Sequence, residues 1–153
     1  MNVLFVCTGN TCRSAMAEGY VKKMAREQGM SGVTVASCGT AASYLFKVPK
    51  AVLALMESDG IDLSGHRSTQ VNQTLVEQAD LILVMEEFHR EYLNLCFPGI
   101  RKKVYLFKEY VKAQGDKEIP DPIGHSEEFY RDTAAALKRY AGELVQILAK
   151  ENA

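Results

Sequence analysis

Apolar residues in this chain form four short runs of the kind that make strands buried on both faces of a sheet. Each run contains valine, leucine or isoleucine and is bounded by polar or glycine-containing segments. Their lengths suit strands better than helices. The predicted strands cover Val3 to Val6, Val33 to Ser37, Asp80 to Met85 and Lys103 to Phe107.

Between these runs the apolar residues recur every three or four positions, which is the spacing of helices with one buried face. After Ser14, for instance, Met16, Tyr20 and Met24 fall on one face, and Gly29 marks a helix end. Further helices are predicted from Lys50 to Ser58, from about Glu87 to Leu95, and from about Ser126, where Leu137, Leu144, Ile147 and Leu148 form the apolar stripe.

The alternation of strands and helices predicts an α/β fold with right-handed crossovers, in which helices cover both faces of a parallel sheet. We expect a single flavodoxin-like, three-layer domain over residues 1–153, with four parallel strands in the order 2-1-3-4. In this order the direction of winding reverses beside the first strand, and such sheets bind ligands there, at the carboxyl ends of the strands. Cys7 stands at that point.

The composition fits one domain that needs no disulfides. The net charge is close to zero, so the chain as a whole does not attract polyanions. The chain has 153 residues, and 18 Lys and Arg face 19 Asp and Glu for a net charge of -1. We therefore expect neither nucleic acid nor a membrane as a partner, and any bound anion must be held locally. The four cysteines lack disulfide-framework spacing, no leader precedes Val3, and no apolar run reaches the ~20 residues of a membrane span. These features predict a cytoplasmic protein.

The segment from Cys7 to Ser14 joins a buried strand to a helix start, where successive backbone N–H groups converge on an anion. Gly9 and Asn10 tolerate the positive φ that curls such a loop, and Arg13 offers a planar fork to two phosphate oxygens. The amides and the guanidinium favour a thiolate at Cys7, and Ser14 is suited to cap the helix or to stabilise that thiolate as it leaves. The candidate phosphate-binding loop comprises Thr8, Gly9, Asn10, Thr11, Cys12 and Ser14.

The sequence lacks the motifs of nucleotide-binding proteins and of metal-dependent phosphatases. A cysteine at a strand end is more often a core residue, and a bare C-x5-R is a weak signal, but the strand, loop and helix around this one favour a site. The nucleotide-binding G-x-x-x-x-G-K-[ST] motif is missing, as is an Asp-x-Asp pair for a Mg²⁺-dependent phosphatase. His66, His89 and His125 have no metal-ligand spacing, so we expect neither metal nor cofactor.

With these residues in hand, the chain resembles the low-molecular-weight protein tyrosine phosphatase family over essentially its whole length. It is most similar to the bacterial protein arginine phosphatase branch of that family. Besides Cys7 to Ser14, the shared segments in family order are Met16-Ala17-Glu18, Ser37-Cys38-Gly39-Thr40, Gly60 to Arg67, Asp80 to Met85 and Asp121-Pro122.

The resemblance implies a cysteine-dependent hydrolase that acts on phosphorylated protein side chains and releases inorganic phosphate. Cys7 would be the nucleophile, Arg13 the phosphate clamp and Asp121 the general acid, which then activates water as a base against a phosphocysteine. The likeness also assigns Asn10, Ser37 and His66 to a hydrogen-bond network that supports the loop. Without the family, Asp121-Pro122 would be only a good turn.

Thr11 is the residue most informative about substrate. Family members that act on phosphotyrosine usually carry isoleucine there, whereas the arginine phosphatases look like this chain, so phosphoarginine is favoured and phosphotyrosine is the alternative. A branched apolar wall suits a phenyl ring, while threonine is smaller and offers a hydroxyl to guanidinium nitrogens. Ile123 departs from the Tyr or Phe usual after Asp-Pro, which removes an aromatic wall at that position.

Two rival functions and two further cysteine roles stay open. A thioredoxin-coupled arsenate reductase uses a similar loop but needs relay cysteines, and Leu83 to Cys96 offers only Cys96. An inert phosphoprotein-binding module would not need both Cys7 and Asp121. Spacing and family likeness suggest that an oxidised Cys7 is trapped as a disulfide with Cys12, and we interpret Cys38 and Cys96 as core residues.

Overall fold

The computed structural model describes residues 1–151 and contains one four-stranded parallel sheet. Its strands lie in the order β2-β1-β3-β4, so the predicted order 2-1-3-4 is confirmed. The strands are β1 (Asn2–Cys7), β2 (Thr34–Gly39), β3 (Leu81–Val84) and β4 (Val104–Leu106).

Helices cover both faces of the sheet, as predicted. The bounds are α1 (Arg13–Glu27), α2 (Lys50–Ser58), α3 (Gln73–Gln78), α4 (Glu87–Cys96), α5 (Phe107–Tyr110) and α6 (Glu127–Glu151), with a 3-10 turn at Arg101–Lys103. Alternate residues of β1 point to opposite faces. Val3 and Phe5 pack with residues of α1, α2 and α6, whereas Leu4 and Val6 pack with residues of α3 and α4. No helix within residues 1–151 is long and apolar enough to cross a membrane.

The structure differs from the sequence-based prediction at several element ends. Helices α3 and α5 were not predicted, and β2 runs on to Gly39 rather than ending at Ser37. The fourth strand is shorter than expected, because Lys103 belongs to the 3-10 turn and Phe107 begins α5. Short edge strands limit unwanted pairing with other chains, so the trimmed β4 suits its position at the edge of the sheet.

Only one of the two cysteines interpreted as core residues is buried. Cys38, in β2, is inaccessible to solvent, but Cys96 is exposed and that prediction is wrong. Cys96 is the last residue of α4, where the larger ring of Phe97 packs against the cluster that contains Leu93 and Ile100. The smaller side chain of Cys96 is left at the surface.

Candidate active site

The loop from Thr8 to Cys12 leaves the carboxyl end of β1 and enters α1 at the point where the strand order reverses. It packs closely on the end of β2: Thr40 and Ala41 donate backbone N–H bonds of 2.9 Å to the carbonyls of Cys7 and Thr8. A Cβ added at Gly39 would lie 2.3 Å from the Thr8 carbonyl oxygen, so only glycine allows this approach.

The backbone amides of this loop are available to an anion. Within residues 1–151, the N–H groups of Thr8 to Cys12 donate to no protein acceptor. The first N–H groups of α1 add to them, because no side chain caps this helix. Cys12 occupies the N-cap position, so the expectation that Ser14 caps the helix is wrong; Ser14 lies inside the first turn.

Asn10 holds the loop in its curled shape. It is fully buried and adopts φ 57°, whereas Gly9 does not adopt a positive φ, contrary to expectation. The Asn10 Oδ1 accepts a 3.0 Å bond from the Thr69 N–H, and the backbone carbonyl oxygen of Asn10 lies 2.8 Å from His66 Nε2. These bonds tie the loop to a segment nearly sixty residues away, which offsets the cost of the left-handed backbone.

The Asn10 side-chain amide joins two serine hydroxyls in a hydrogen-bond network that reaches Cys7. Its Nδ2 donates to the Ser37 and Ser14 hydroxyls at 2.9 and 2.8 Å, and Ser37 donates its own hydrogen to the Glu18 carboxylate. Ser14 Oγ lies 2.9 Å from Cys7 Sγ and 3.4 Å from the Cys38 carbonyl oxygen, so its hydrogen can be donated to the sulfur. A hydroxyl that donates to sulfur favours the thiolate, so this arrangement suits a nucleophile and a leaving group.

Arg13 is held at one nitrogen and open at the others. The residue is 1% exposed, and its Nη1 donates to Glu86 Oε2 at 2.6 Å and to the Ile119 carbonyl at 2.8 Å. Within residues 1–151, Nε and Nη2 make no hydrogen bond, which leaves a planar pair of donors for two oxygens of an anion. Glu86 balances the buried charge.

Glu86 was missed in the sequence, although a signal was present. It follows β3, whose carboxyl end lies at the same sheet edge as that of β1. A carboxylate at that edge is a suitable partner for Arg13.

Asp121 lies within range of the Arg13 guanidinium, with Oδ2 3.8 Å from Nη2. Its Oδ1 accepts the Ile123 N–H at 3.0 Å, and 43% of the side chain is exposed. The Ile119 N–H binds the Met85 carbonyl at 2.9 Å, which fixes the segment that carries Asp121 beside the end of β3. The structure therefore brings this carboxyl to the same end of the sheet as the loop, accessible to solvent and to a leaving group.

His89 forms a hydrogen bond with Thr8 at the start of the loop, a role that the sequence analysis did not predict. The ring is fully buried; Nδ1 accepts the Glu86 N–H at 3.1 Å, and Nε2 lies 2.9 Å from Thr8 Oγ1. Because Nδ1 is an acceptor, the ring proton lies on Nε2 and is donated to Thr8. Burial, with a smaller contribution from the Arg13 charge, lowers the pKa of His89 to about 3.

The low pKa of His89 predicts a loss of stability in mild acid. A histidine with a folded-state pKa of about 3 and an ordinary pKa of 6.5 takes up its proton first in the unfolded chain. Stability should therefore fall from about pH 6.5 towards pH 3, by about 1.4 kcal/mol per pH unit. From pH 7 to pH 5, His89→Gln should lose about 2 kcal/mol less stability than the native chain, measured by urea unfolding. His125→Gln, at an exposed ring, is the control and should match the native pH dependence; a parallel His89→Gln curve would contradict the prediction.

Thr11 and Cys12 complete the loop. Thr11 is 5% exposed, and its Oγ1 lies 3.7 Å from Cys12 Sγ. Burial is the main reason that the pKa of Cys12 rises to about 12, so this thiol stays protonated near neutral pH. Cys7 and Cys12 are both buried, free thiols, and a disulfide between them stays a prediction.

Exposed apolar side chains border the loop. Phe46 Cδ2 would lie 3.8 Å from a Cβ at Gly9, and the Phe88 ring contacts the His89 ring at a tilt of 44°, with centroids 4.2 Å apart. Phe46, Phe88 and Ile123 are each about half exposed. Aromatic side chains are thus exposed beside the loop, although Ile123 stands where the family usually has Tyr or Phe. Within residues 1–151, no group of three His, Cys, Asp or Glu side chains is arranged to hold a metal ion.

Comparisons with known proteins show which family the chain matches. A sequence model described as "Low molecular weight phosphotyrosine protein phosphatase" matches residues 2–153. The "Protein-arginine-phosphatase" of Bacillus subtilis (strain 168) is 40% identical over 153 residues, which is 99% of each chain. The "Low molecular weight protein-tyrosine-phosphatase Ptp" of Acinetobacter johnsonii is 34% identical over 137 residues, 90% of each chain.

A similar fold is found in a solved structure of YwlE arginine phosphatase, a cysteine-to-serine mutant with a phosphorylated active-site serine. It superposes with a TM-score of 0.90 at 36% sequence identity, covering 98% of this chain and 97% of that one.

Proposed function

We propose, from the premise that this chain belongs to the low molecular weight phosphotyrosine protein phosphatase family, that it hydrolyses phosphoarginine in proteins through a phosphocysteine on Cys7. The family match spans residues 2–153, and a 40% identical relative is a protein arginine phosphatase. In the YwlE mutant structure, the serine that replaces the active-site cysteine carries phosphate, which supports a covalent intermediate at that position.

In the first half-reaction the Cys7 thiolate attacks phosphorus, and the bond from phosphorus to the arginine nitrogen breaks. The free amides of Thr8 to Cys12 and the Nε and Nη2 of Arg13 hold the phosphoryl oxygens. Asp121, as the carboxylic acid, donates a proton to the departing nitrogen, which takes the electron pair of the broken bond, so that arginine leaves with its ordinary guanidinium group.

In the second half-reaction the Asp121 carboxylate takes a proton from water as the water oxygen attacks the phosphocysteine. The bond from sulfur to phosphorus breaks, inorganic phosphate is released, and the sulfur leaves as a thiolate that accepts the Ser14 hydrogen bond. One carboxyl group thus serves both half-reactions, as acid and then as base.

The observation that carries this proposal is the buried hydrogen-bond network that joins Glu18, Ser37, Asn10 and Ser14 to Cys7 Sγ. Asn10 Nδ2 donates to both serine hydroxyls, and Ser14 Oγ lies 2.9 Å from the sulfur. A thiolate has no hydrogen to give, so Ser14 donates to Cys7 once the sulfur is ionised. The network therefore places a hydrogen-bond donor at the sulfur, beside loop amides that are free to bind an anion.

Thr11 supports phosphoarginine over phosphotyrosine. Isoleucine at this position would add an apolar branch beside Gly9, where the Thr11 hydroxyl now lies 3.8 Å from the position of an added Cβ. A hydroxyl suits the polar nitrogens of a guanidinium group, whereas an added branch suits a phenyl ring. Phosphotyrosine is the second candidate, because one 34% identical relative is a protein tyrosine phosphatase.

Thr11→Ile should shift the preference from phosphoarginine to phosphotyrosine. We expect the native chain to have the higher kcat/KM on a phosphoarginine peptide, and the ratio of the two kcat/KM values to fall at least about tenfold in the variant. The added bulk should exclude the broad guanidinium group, and the lost hydroxyl should leave its nitrogens without a partner. The measurement compares two peptides that differ only in the phosphorylated residue.

Thr11→Val is the matched control, since it removes the hydroxyl and keeps the volume. An intermediate ratio for Thr11→Val would apportion the effect between the hydroxyl and the bulk. A native chain that prefers phosphotyrosine, or a ratio unmoved by Thr11→Ile, would disprove the substrate assignment while leaving the cysteine mechanism standing.

The other expectations on partners and location stay predictions. These are a single domain over residues 1–153, a cytoplasmic location, inorganic phosphate as product, and no binding of nucleic acid or membrane. Arsenate reduction needs a cysteine relay, and the exposed thiol of Cys96 lies at the far end of α4, whose first turn follows Glu86. Turnover of a phosphopeptide without added thioredoxin would separate hydrolysis from that chemistry.

A further inference from the structure

We propose that a cleft behind the loop binds a small molecule that carries a phosphate group on an apolar body, and that its binding is transmitted to Asn10. The cleft lies between α1, the outer edge of β2 and the segment 60–69, and has a volume of about 720 Å³. Its lining includes no residue from 7 to 14, so the cleft lies outside the loop itself, although it shares with the site the residues that support Asn10. The proposal does not depend on which phosphorylated residue is the substrate.

The cleft presents cationic groups in excess of its carboxylates. Lys22 binds the Glu18 carboxylate, and Lys23 lies 3.6 Å from Glu27. Arg26 and Arg67 are exposed and have no ion-pair or hydrogen-bond partner for their guanidinium groups within residues 1–151.

The two carboxylates of the lining are already engaged. Glu18 accepts from Ser37 and Lys22, and Asp62 accepts the Ser64 N–H at 2.8 Å. Two unpaired guanidinium groups therefore remain, and such groups bind phosphate through paired hydrogen bonds.

Apolar side chains form the floor of the cleft. Ile61 and Leu63 expose 9% of their surface each, and Ala36 and Leu75 line the same cavity. A volume of about 720 Å³ falls in the range of sites that hold drug-sized ligands. An apolar floor with a cationic rim matches a nucleoside monophosphate in chemistry and size, with its base on the floor and its phosphate at the rim.

Three lining residues connect the cleft to the loop. Ser37 accepts from Asn10 Nδ2 at 2.9 Å, His66 Nε2 lies 2.8 Å from the Asn10 carbonyl oxygen, and Glu18 fixes the hydrogen of Ser37. A phosphate at the rim competes with Glu18 for Lys22, so it changes the charge that orients Ser37. By linkage, occupancy of the cleft and the state of the loop must influence each other.

The test is titration of the full chain with adenosine 5′-monophosphate while the loop is saturated with tungstate, an oxyanion similar to phosphate. Calorimetry should give one site, and the double variant Arg26→Gln/Arg67→Gln should weaken the affinity at least about tenfold. Adenosine, which lacks the phosphate, should bind the native chain at least about tenfold more weakly than adenosine 5′-monophosphate does. Arg101→Gln, at an exposed arginine outside the cleft, is the control and should not change the affinity.

Coupling is tested by nuclear magnetic resonance in the same titration. The side-chain amide signals of Asn10 should shift on binding in the native chain and stay unmoved in the double variant at the same nucleotide concentration. Absence of binding, or an affinity that the double variant leaves unchanged, would overturn the cleft as a site. Binding that leaves the Asn10 signals in place would overturn the connection to the loop.

Discussion

Cys7→Ser should lower kcat on phosphopeptides by at least about 10,000-fold, which is the size of effect that follows loss of a catalytic nucleophile. The proposed mechanism needs the sulfur of Cys7 as the attacking group, with the Ser14 hydroxyl 2.9 Å away. A serine hydroxyl is a much weaker acid and a poorer nucleophile than a thiol, so the attacking group is lost while the loop amides and Arg13 still hold the anion. The variant should still bind tungstate, measured by calorimetry.

Cys12→Ser is the matched control, because it makes the same chemical change in the same buried loop. With its pKa raised to about 12, mainly by burial, the Cys12 thiol is not an attacking group, and turnover should stay within about tenfold of native. Equal turnover by the native chain and Cys7→Ser would overturn the mechanism. A loss as large in Cys12→Ser would show that packing of the loop, rather than the nucleophile, had been removed.

Arg13→Lys should lower kcat/KM at least about 100-fold even though the positive charge is kept. Arg13 uses Nη1 to bind Glu86 and the Ile119 carbonyl, and its other nitrogens are left for the phosphoryl oxygens. Lysine has one nitrogen, which can serve the carboxylate or the phosphate in good geometry but not both. Tungstate should bind more weakly by a similar factor, measured as a competitive inhibitor.

Arg90→Lys is the control for the Arg13 substitution. Arg90 pairs with Glu87 through two nitrogens at 2.9 and 2.7 Å, but on the surface of α4. Pairs of that kind contribute little to stability, so turnover should be unchanged. An Arg13→Lys variant with native kcat/KM would mean that charge alone, without the planar fork, stabilises the transition state.

Much of the fold follows from the apolar pattern alone. Four apolar runs separated by helical spacing are compatible with few topologies, because crossovers between parallel strands are right-handed. The predicted order of the sheet was confirmed, and with it the place of Cys7 at the reversal of winding. The missed helices α3 and α5 have only six and four residues. Such lengths give too few repeats for a periodic pattern to be recognised.

The residues of the loop were also predictable, because their chemistry is local. A strand, a tight turn with Asn10, and a helix start place Cys7 and Arg13 near each other within seven residues of chain. Their partners were not predictable in the same way. Glu86 reaches Arg13 across 73 residues and His89 reaches Thr8 across 81. The place of Glu86 after β3 indicated a carboxylate at the same sheet edge, but nothing local indicated the pairing of His89 with Thr8.

The sequence by itself determined the sheet, the loop and the identity of the reactive groups, since those depend on side-chain spacing and on neighbours along the chain. Only the tertiary structure decided the hydrogen-bond partners of Asn10, the neutral state of His89 and the exposure of Cys96. Those properties arise where separate segments meet: the Asn10 amide binds the Ser37 hydroxyl from β2, and the His89 ring is buried between α4 and the loop.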